Sequence, residues 1–427
     1  MRWITGVWCV LGCVWATEAA AQEAGGVPAP MAVRVMTFNV EDVRTEDLVR
    51  TDHPRVRAVA EVIQTLRPNI VLLNEIAYDQ PGGPGVAADA VPGQNGRRFV
   101  ENYLSVSQAP GLEPIRYRVF MDRVNTGQPS GFDLDRSGAV VTAVPEQPVP
   151  AADGSVAEQT PEGRAYGGDA WGFGTFPGQY GMALLVDERL EIVTEGVRTF
   201  RLFPWMAMPG ALVPTVAGAA GAGEAAAWYA GEAGELFRLS SKSHWDVPVR
   251  LPNGAVVHVL ASHPTPPAFD GDEQRNRKRN HDEIRFWLDY VEGAAYIADD
   301  AGKAGGLEPG AHFVIVGDLN ADPDEGSSLR NPMGQLLASA RVQDPRPVSE
   351  LRVDHRGRAL DEDDTALFGL RVDYVLPSAG LSALGGGVWR ETPRNWGGQR
   401  PSDHFPVWAD VSVPGVVGTG AGGGGRE

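Results

Sequence analysis

Cysteine is almost missing from this chain. Of its 427 residues only Cys9 and Cys13 are cysteine, and both sit in an apolar N-terminal stretch. Beyond that stretch there can be no disulfide, no thiolate metal site and no cysteine nucleophile. A basic surplus is missing too: 37 Lys and Arg face 55 Asp and Glu, a formal net charge of −18. Such a surface attracts cations. It is poorly suited to gripping long DNA through many phosphate contacts, although a small basic cleft would still admit a nuclease. Past the N-terminal stretch no run is long and apolar enough to cross a bilayer. There is no internal repeat and no basic arm interleaved with aromatics.

What is present is ordinary globular composition, with 43% hydrophobic residues, enough for a large core. The first residues combine Arg2, an apolar run from Trp3 to Ala16 and a small-residue site at Ala19-Ala20-Ala21. These predict a secretory signal peptide over 1–21 and an exported protein beginning at Gln22. Lipoprotein processing at Cys13 is the alternative. A linker over 22–31 leads to one α/β domain over 32–413, and residues 414–427 form a flexible Gly-rich tail.

Within the domain, "AVRVMTFNV" (32–40) and "NIVLLNEI" (69–76) read as strands, separated by a helix over 54–68. A helix around 98–108 and strands at 116–121, 181–187 and 189–200 follow. Asn253-Gly254 signals a hairpin between strands at 247–252 and 255–263. A helix is expected over 279–300, with Asn280 as its cap. Strands at "HFVIVGDLN", 371–378 and 403–413 complete the pattern. Residues 122–178 and the Ala/Gly-rich stretch 215–234 read as long loops.

Several strands end in a polar residue that packing does not require. Asn39 follows "VMTF", Glu75 follows "VLLN" and His263 follows "VLAS". Asp318 and Asn320 follow "VIVG", Asp373 precedes "YVL", and Asp403 and His404 open the last strand. Each alone reads as a cap or turn residue. Together they describe a mouth at one end of strand layers, where α/β folds bind ligands. A thiol-free, oxygen-rich set suits a hard cation such as Mg²⁺, Mn²⁺ or Ca²⁺.

In order, "TFNV", "NEI", "ASHP", "GDLNADP", "VDYVLP" and "SDHFPV" resemble the endonuclease/exonuclease/phosphatase superfamily, with its deoxyribonuclease I-like fold. The resemblance implies a four-layer α/β sandwich: two mixed β-sheets packed face to face, with helices outside. It implies a metal held by Glu75 with Asn39, and in some members by Asp403. Asp318 would orient or deprotonate the attacking water, and Asn320 would contact the scissile phosphate. His404 would face that phosphate and be oriented by Asp373. His263 would be a second acid or hydrogen-bond donor. All of these residues are present, which weighs against a catalytically inactive binding relative.

Two basic stretches are candidate substrate contacts: Lys242 and His244, and the cluster holding Arg275 and Arg277, with His281 close by. Gln179, Tyr180 and the aromatics Trp205, Trp228 and Tyr229 are further candidates for the walls of the site. The expected activity is metal-dependent hydrolysis of a P–O bond. Small phosphoesters, lipid head groups and nucleic acid all remain open as substrates. A monomer without a stable membrane span is expected.

Overall fold

The structure is a computed structural model that describes residues 27–148, 158–216, 226–394 and 399–416. The expected signal peptide, Cys13, most of the tail and the centre of the 215–234 stretch lie outside the described residues.

The chain lays down β1 (Met31–Val43), β2 (Ile70–Ile76), β3 (Tyr117–Phe120) and β4 (Met182–Asp187). Short β5 (Glu191–Ile192) and β6 (Arg198–Thr199) precede β7 (His244–Arg250), β8 (Val256–Ser262) and β9 (His312–Asp318). A small hairpin, β10 (Asp354–His355) and β11 (Arg358–Ala359), comes before β12 (Asp373–Pro377), β13 (Ser382–Val388) and β14 (Val407–Val413). One sheet has the order β13-β14-β1-β2-β4-β3, and the other has β12-β9-β8-β7-β5, with β6 also pairing β7.

Each sheet contains one parallel pair. β1 and β2 are joined through the helix Pro54–Leu66, and β8 and β9 through the helix Arg275–Val291. A parallel pair needs such a crossover, and the helix buries its apolar stripe on the sheet it spans. The three apolar clusters follow from this. Val33, Val35, Leu72, Val247, Val259, Val314 and Val375 fill the space between the sheets. Val59, Ile63 and Tyr103 pack with Phe38 and Leu73 outside the first sheet. Ile284, Trp287 and Tyr290 pack with Leu260 and Ile315 outside the second. The result is helix, sheet, sheet, helix, as the resemblance implied.

The local departures have physical causes. The helix expected over 98–108 runs from Asn95 to Leu104, its second half wound as a π-helix. The strand expected over 189–200 is interrupted by a 3₁₀ turn at Thr194–Gly196. β13, "SALGGGV", went unread because three glycines give no strand signal. The helix expected over 279–300 starts four residues earlier, at Arg275. Asp270, not Asn280, caps it by accepting from the backbone N–H of Asn276 (2.7 Å) and Arg277 (2.9 Å). Asn280 is buried inside the helix and donates to the carbonyls of Thr265 and Leu319. Asn253-Gly254 does turn the β7–β8 hairpin.

Gly317 carries the closest approach between neighbouring strands at the site. A Cβ there would lie 2.0 Å from the Ser262 carbonyl oxygen. Gly317→Ala is expected to destabilise the fold by about 3 kcal/mol, read as a lowered denaturant midpoint. An unchanged midpoint would show that β8 and β9 can part without cost.

Candidate active site

Strand parity delivers four of the polar side chains. In β1, Val33 and Val35 face the opposite sheet, and the same face continues through Thr37 to Asn39. Val257, Val259 and Ala261 lead to His263; Val314 and Val316 lead to Asp318; Val375 is preceded by Asp373. A period of two therefore points all four into the space between the sheets, where the apolar filling stops. Strand direction makes it the same end. β12 and β14 run antiparallel to β9 and β1 and enter where those strands leave. Asp373 pairs directly with Asp318 across the ladder.

Asn320 lines the cleft with Asp318, as its two-residue spacing predicts, and Glu75 breaks the parity. Leu73 packs on the helix side of β2, and Asn74 reaches the inner side, accepting from the Thr37 hydroxyl at 3.0 Å. Alternation alone would turn Glu75 toward the helices. Its φ of +67° turns it into the cleft instead. Such left-handed backbone is costly outside glycine and is held by its surroundings. Here the Asp42 backbone N–H donates to Glu75 Oε2 at 3.1 Å. Asn320 (φ +53°) lies past the strand end, and its N–H donates to Asp318 Oδ1 at 2.9 Å. The turn chemistry of "GDLN" and the site are thus one arrangement.

Asp318 is the centre. Asn39 Nδ2 donates to its Oδ2 at 3.0 Å and to Glu75 Oε1 at 3.1 Å. His263 Nε2 lies 3.3 Å and His404 Nε2 3.8 Å from the same Oδ2. His404 Nδ1 is 2.8 Å from Asp373 Oδ2. The Ser402 hydroxyl donates to the Asn39 carbonyl (2.7 Å) and accepts from the His404 N–H (3.1 Å), fixing the last loop to β1. Glu75, Asp318, Asn320, Asp403, His404, His263 and Lys242 line one cleft of about 930 Å³. Asn39 and Asp373 are buried beneath it.

The charges sort into distinct roles. Burial pushes the Asp318 carboxyl up, but His404, His263 and the Asn39 amide outweigh it and hold the group well below the usual carboxylate range. Burial pushes the His404 imidazole down, but Asp373 and Asp318 raise it well above the ordinary histidine value. His404 is therefore an imidazolium near neutrality. Burial and the neighbouring Lys242 lower His263 to about 4, so it is neutral. Of the two roles implied for His263, hydrogen-bond donor fits and charged acid does not.

Asp318, Asp373 and His404 offer ligand atoms within 4.8 Å of one another, close enough to share an ion. A charged imidazole has no lone pair to give, so a hard cation fits the neighbouring carboxylates better. Burial raises Glu75 to about 7, and burial with Asp403 raises Glu41 to about 7. Both line the cleft with Asp403, and carboxylate oxygens are the donors a hard divalent cation takes. Asn39 turns its amide nitrogen to Glu75, and its Oδ1 accepts from the Glu41 N–H. It holds Glu75 in place, and its Oδ1 keeps one lone pair beyond the bond it accepts.

Other sequence candidates divide. Lys242 and Arg275 line the cleft, whereas Arg277, His244 and His281 lie outside it. His281 pairs with Asp282 at 2.8 Å. His244, expected near substrate, is buried against Phe286 and Trp287, with Ser240 Oγ at 2.7 Å and the Glu283 carbonyl at 2.9 Å. Strand β7 begins at His244, and its parity sends that ring to the helix side. Trp205 is likewise core, 1% exposed. Tyr180 and Tyr229 line the cleft, while Gln179 supports Asp42 from below, donating at 3.0 Å. Glu41 and Asp42 on the wall carried no signal in the sequence, because neither closes a strand pattern, whereas Arg279, a member of the basic cluster with Arg275 and Arg277, does reach the cleft.

His244 makes a testable stability switch. Burial lowers it from 6.5 to about 4. Its folded pKa lies below the unfolded one, so between those values the unfolded chain binds the extra proton and stability falls as pH falls. The loss from this group is on the order of 3 kcal/mol. His244→Gln should flatten the dependence of unfolding free energy on pH between 6.5 and 4 by about one proton. An unchanged slope would assign the acid sensitivity elsewhere.

Comparison with known proteins adds the following. A crystal structure of an endonuclease/exonuclease/phosphatase from Beutenbergia cavernae is 19% identical, with 90% of this chain and 72% of that one covered, at a TM-score of 0.48. Truncated Caenorhabditis elegans TDP2 is 15% identical (90% and 98% covered, TM-score 0.41). The human Nocturnin catalytic domain with bound sulfate is 13% identical (90% and 94% covered, TM-score 0.44). No curated protein matches the chain. The model of the Endonuclease/Exonuclease/phosphatase family matches residues 36–404, from three residues before Asn39 to His404 itself. On that match the chain belongs to the endonuclease/exonuclease/phosphatase family, whose members hydrolyse phosphoester bonds.

Proposed function

We propose that this is an exported phosphoesterase, dependent on a divalent cation, that hydrolyses a P–O bond by direct attack of water. The observation that carries the reading is Asp318. It is buried and ionised, shares donors with Glu75 and sits beside an imidazolium backed by Asp373. Export rests on the signal-like leader alone.

Glu75, with Asp403 and Glu41 beside it, would hold Mg²⁺, Mn²⁺ or Ca²⁺. When bound, the ion polarises the phosphoryl group and offsets the charge that develops on it. The chain's own residues do the rest. Asp318 accepts a hydrogen of the attacking water and so aligns its lone pair with phosphorus. His404 keeps its Nδ1 proton on Asp373 and turns Nε2–H to the phosphoryl oxygens, a preorganised donor where negative charge grows. Asn320 spends one amide hydrogen on the Pro264 carbonyl (3.2 Å) and keeps the other for the phosphate. His263 donates to Asp318 and fixes its orientation.

A nuclease is the second reading, favoured by Lys242, Arg275 and Arg279 on the cleft wall. A panel separates the two. Plasmid DNA, RNA, bis-p-nitrophenyl phosphate, p-nitrophenyl phosphate and sphingomyelin are each offered with Mg²⁺, Mn²⁺ or Ca²⁺ and with EDTA. Turnover of small diesters without plasmid cutting is the expected result. Turnover that persists in EDTA, or none on any substrate, overturns the proposal.

A further inference from the structure

The far half of the cleft holds a guanidinium whose position needs explaining. Arg279 is 7% exposed. Its Nε donates to the Leu239 carbonyl (2.8 Å), and its Nη2 contacts the carbonyls of Trp171 (2.7 Å), Arg238 (2.9 Å) and Ser240 (3.0 Å). Among the described residues Nη1 has no hydrogen-bond partner and no carboxylate lies within ion-pair distance, yet the residue lines the cleft. Its plane rests over the Phe237 ring, 4.8 Å from the centroid, and Tyr229 stacks on that ring at 3.9 Å. The Tyr229 hydroxyl, on a side chain also 7% exposed, has no partner among the described residues and lines the same wall. Arg275 completes the group, loosely paired with Glu273 at 3.6 Å.

Glu283, the carboxylate that acts on Arg279, lies beyond ion-pair distance and spends its oxygens on the backbone N–H groups of Ser241 and Thr265 (both 2.6 Å), so the free edge of the guanidinium is left for an anion from the cleft. A guanidinium fixed on three sides loses little freedom when its last edge binds, so it selects position as well as charge. The carbonyls that hold it come from the segments at Trp171 and Arg238–Ser240, both next to the long loops that wall the cleft. The catalytic end does not use these groups. Lys242, between the two ends, feels both Glu75 and Arg279.

We propose that Arg279, Arg275 and the Tyr229 hydroxyl form a second anion subsite, which takes a phosphate of the substrate other than the one being cleaved. The proposal rests on the phosphoesterase reading above. It narrows the substrate class to phosphoesters carrying a second phosphate on the same small molecule or short chain.

Two measurements test it. The thymidine dinucleotides TpT and pTpT share one scissile diester and differ by a single 5′-phosphate. The wild-type protein is expected to favour pTpT by about tenfold in kcat/KM. Tyr229→Phe and Arg275→Gln are each expected to reduce that ratio severalfold through KM. A ratio near one in the wild type, or one that neither substitution moves, overturns the subsite. The second measurement does not need turnover. Calorimetric binding of inorganic phosphate is followed in EDTA on His404→Ala protein. Binding is expected to persist there and to weaken about tenfold on adding Arg279→Lys or Tyr229→Phe; no binding, or binding indifferent to both, overturns the proposal. Phosphate binding that needs Arg279, with every ester left uncut, would instead sink the phosphoesterase reading and leave the subsite standing.

Discussion

His404→Ala is expected to lower kcat for bis-p-nitrophenyl phosphate by about 10³-fold, with KM changed far less. The ring is the one imidazolium at the catalytic end, held charged by Asp373 at 2.8 Å and by Asp318. Its donor matters most where charge accumulates, so its loss falls on the transition state and therefore on kcat. Asp373→Asn should cost about 10²-fold, because an amide can neither stabilise the charged ring nor enforce its orientation. The two losses should not add, since Asp373 acts through His404. Circular dichroism and a thermal midpoint control for folding, as Asp373 is fully buried. Turnover within a few fold of wild type in His404→Ala would remove this ring from the chemistry.

The second large effect is on the cation. Glu75→Gln is expected to weaken Mn²⁺ binding, read by electron paramagnetic resonance independently of activity, by about 10²-fold. The Glu75 side chain keeps partial solvent access, 20%, and its partners are the Asn39 amide, the Asp42 backbone N–H and, at 3.9 Å, His263 Nε2, not a lysine or arginine. Glutamine keeps the size and one of the two accepted hydrogen bonds, its amide nitrogen being a donor, and removes the charge that attracts a hard ion. The same change should relieve Asn39 of one of its two carboxylate partners while leaving its bond to Asp318. Unaltered Mn²⁺ affinity would move the ion to another group, with the trio Asp318, Asp373 and His404 next in line.

Much of the site was legible because its residues obey strand parity. Asn39, His263, Asp318 and Asp373 each continue an inward-facing apolar series, so a reader of period-two patterns meets a polar residue where another valine would do. Glu75 was legible as the polar residue that ends its strand and by resemblance, although its own parity points the wrong way. His244, expected beside substrate because it stands with Lys242 just before a strand, opens β7 instead and is a helix-side core residue. Arg279 stood in the basic cluster with Arg275 and Arg277, with nothing local to set it apart from them. Its distinction is that its partners are carbonyls from segments 39 to 108 residues away, a relation no local pattern contains.

The sequence by itself determined the strand and helix series, the absence of thiol chemistry and the family. These depend on periodicity, composition and short motifs, which are properties of neighbours along the chain. Tertiary structure decided which basic residues reach the cleft, that His404 is charged while His263 is neutral, and that Glu75 turns inward. Those outcomes depend on burial and on charges brought together from distant segments. A side chain's protonation and its aim are set by what surrounds it in space, and the linear order of residues does not specify those distances.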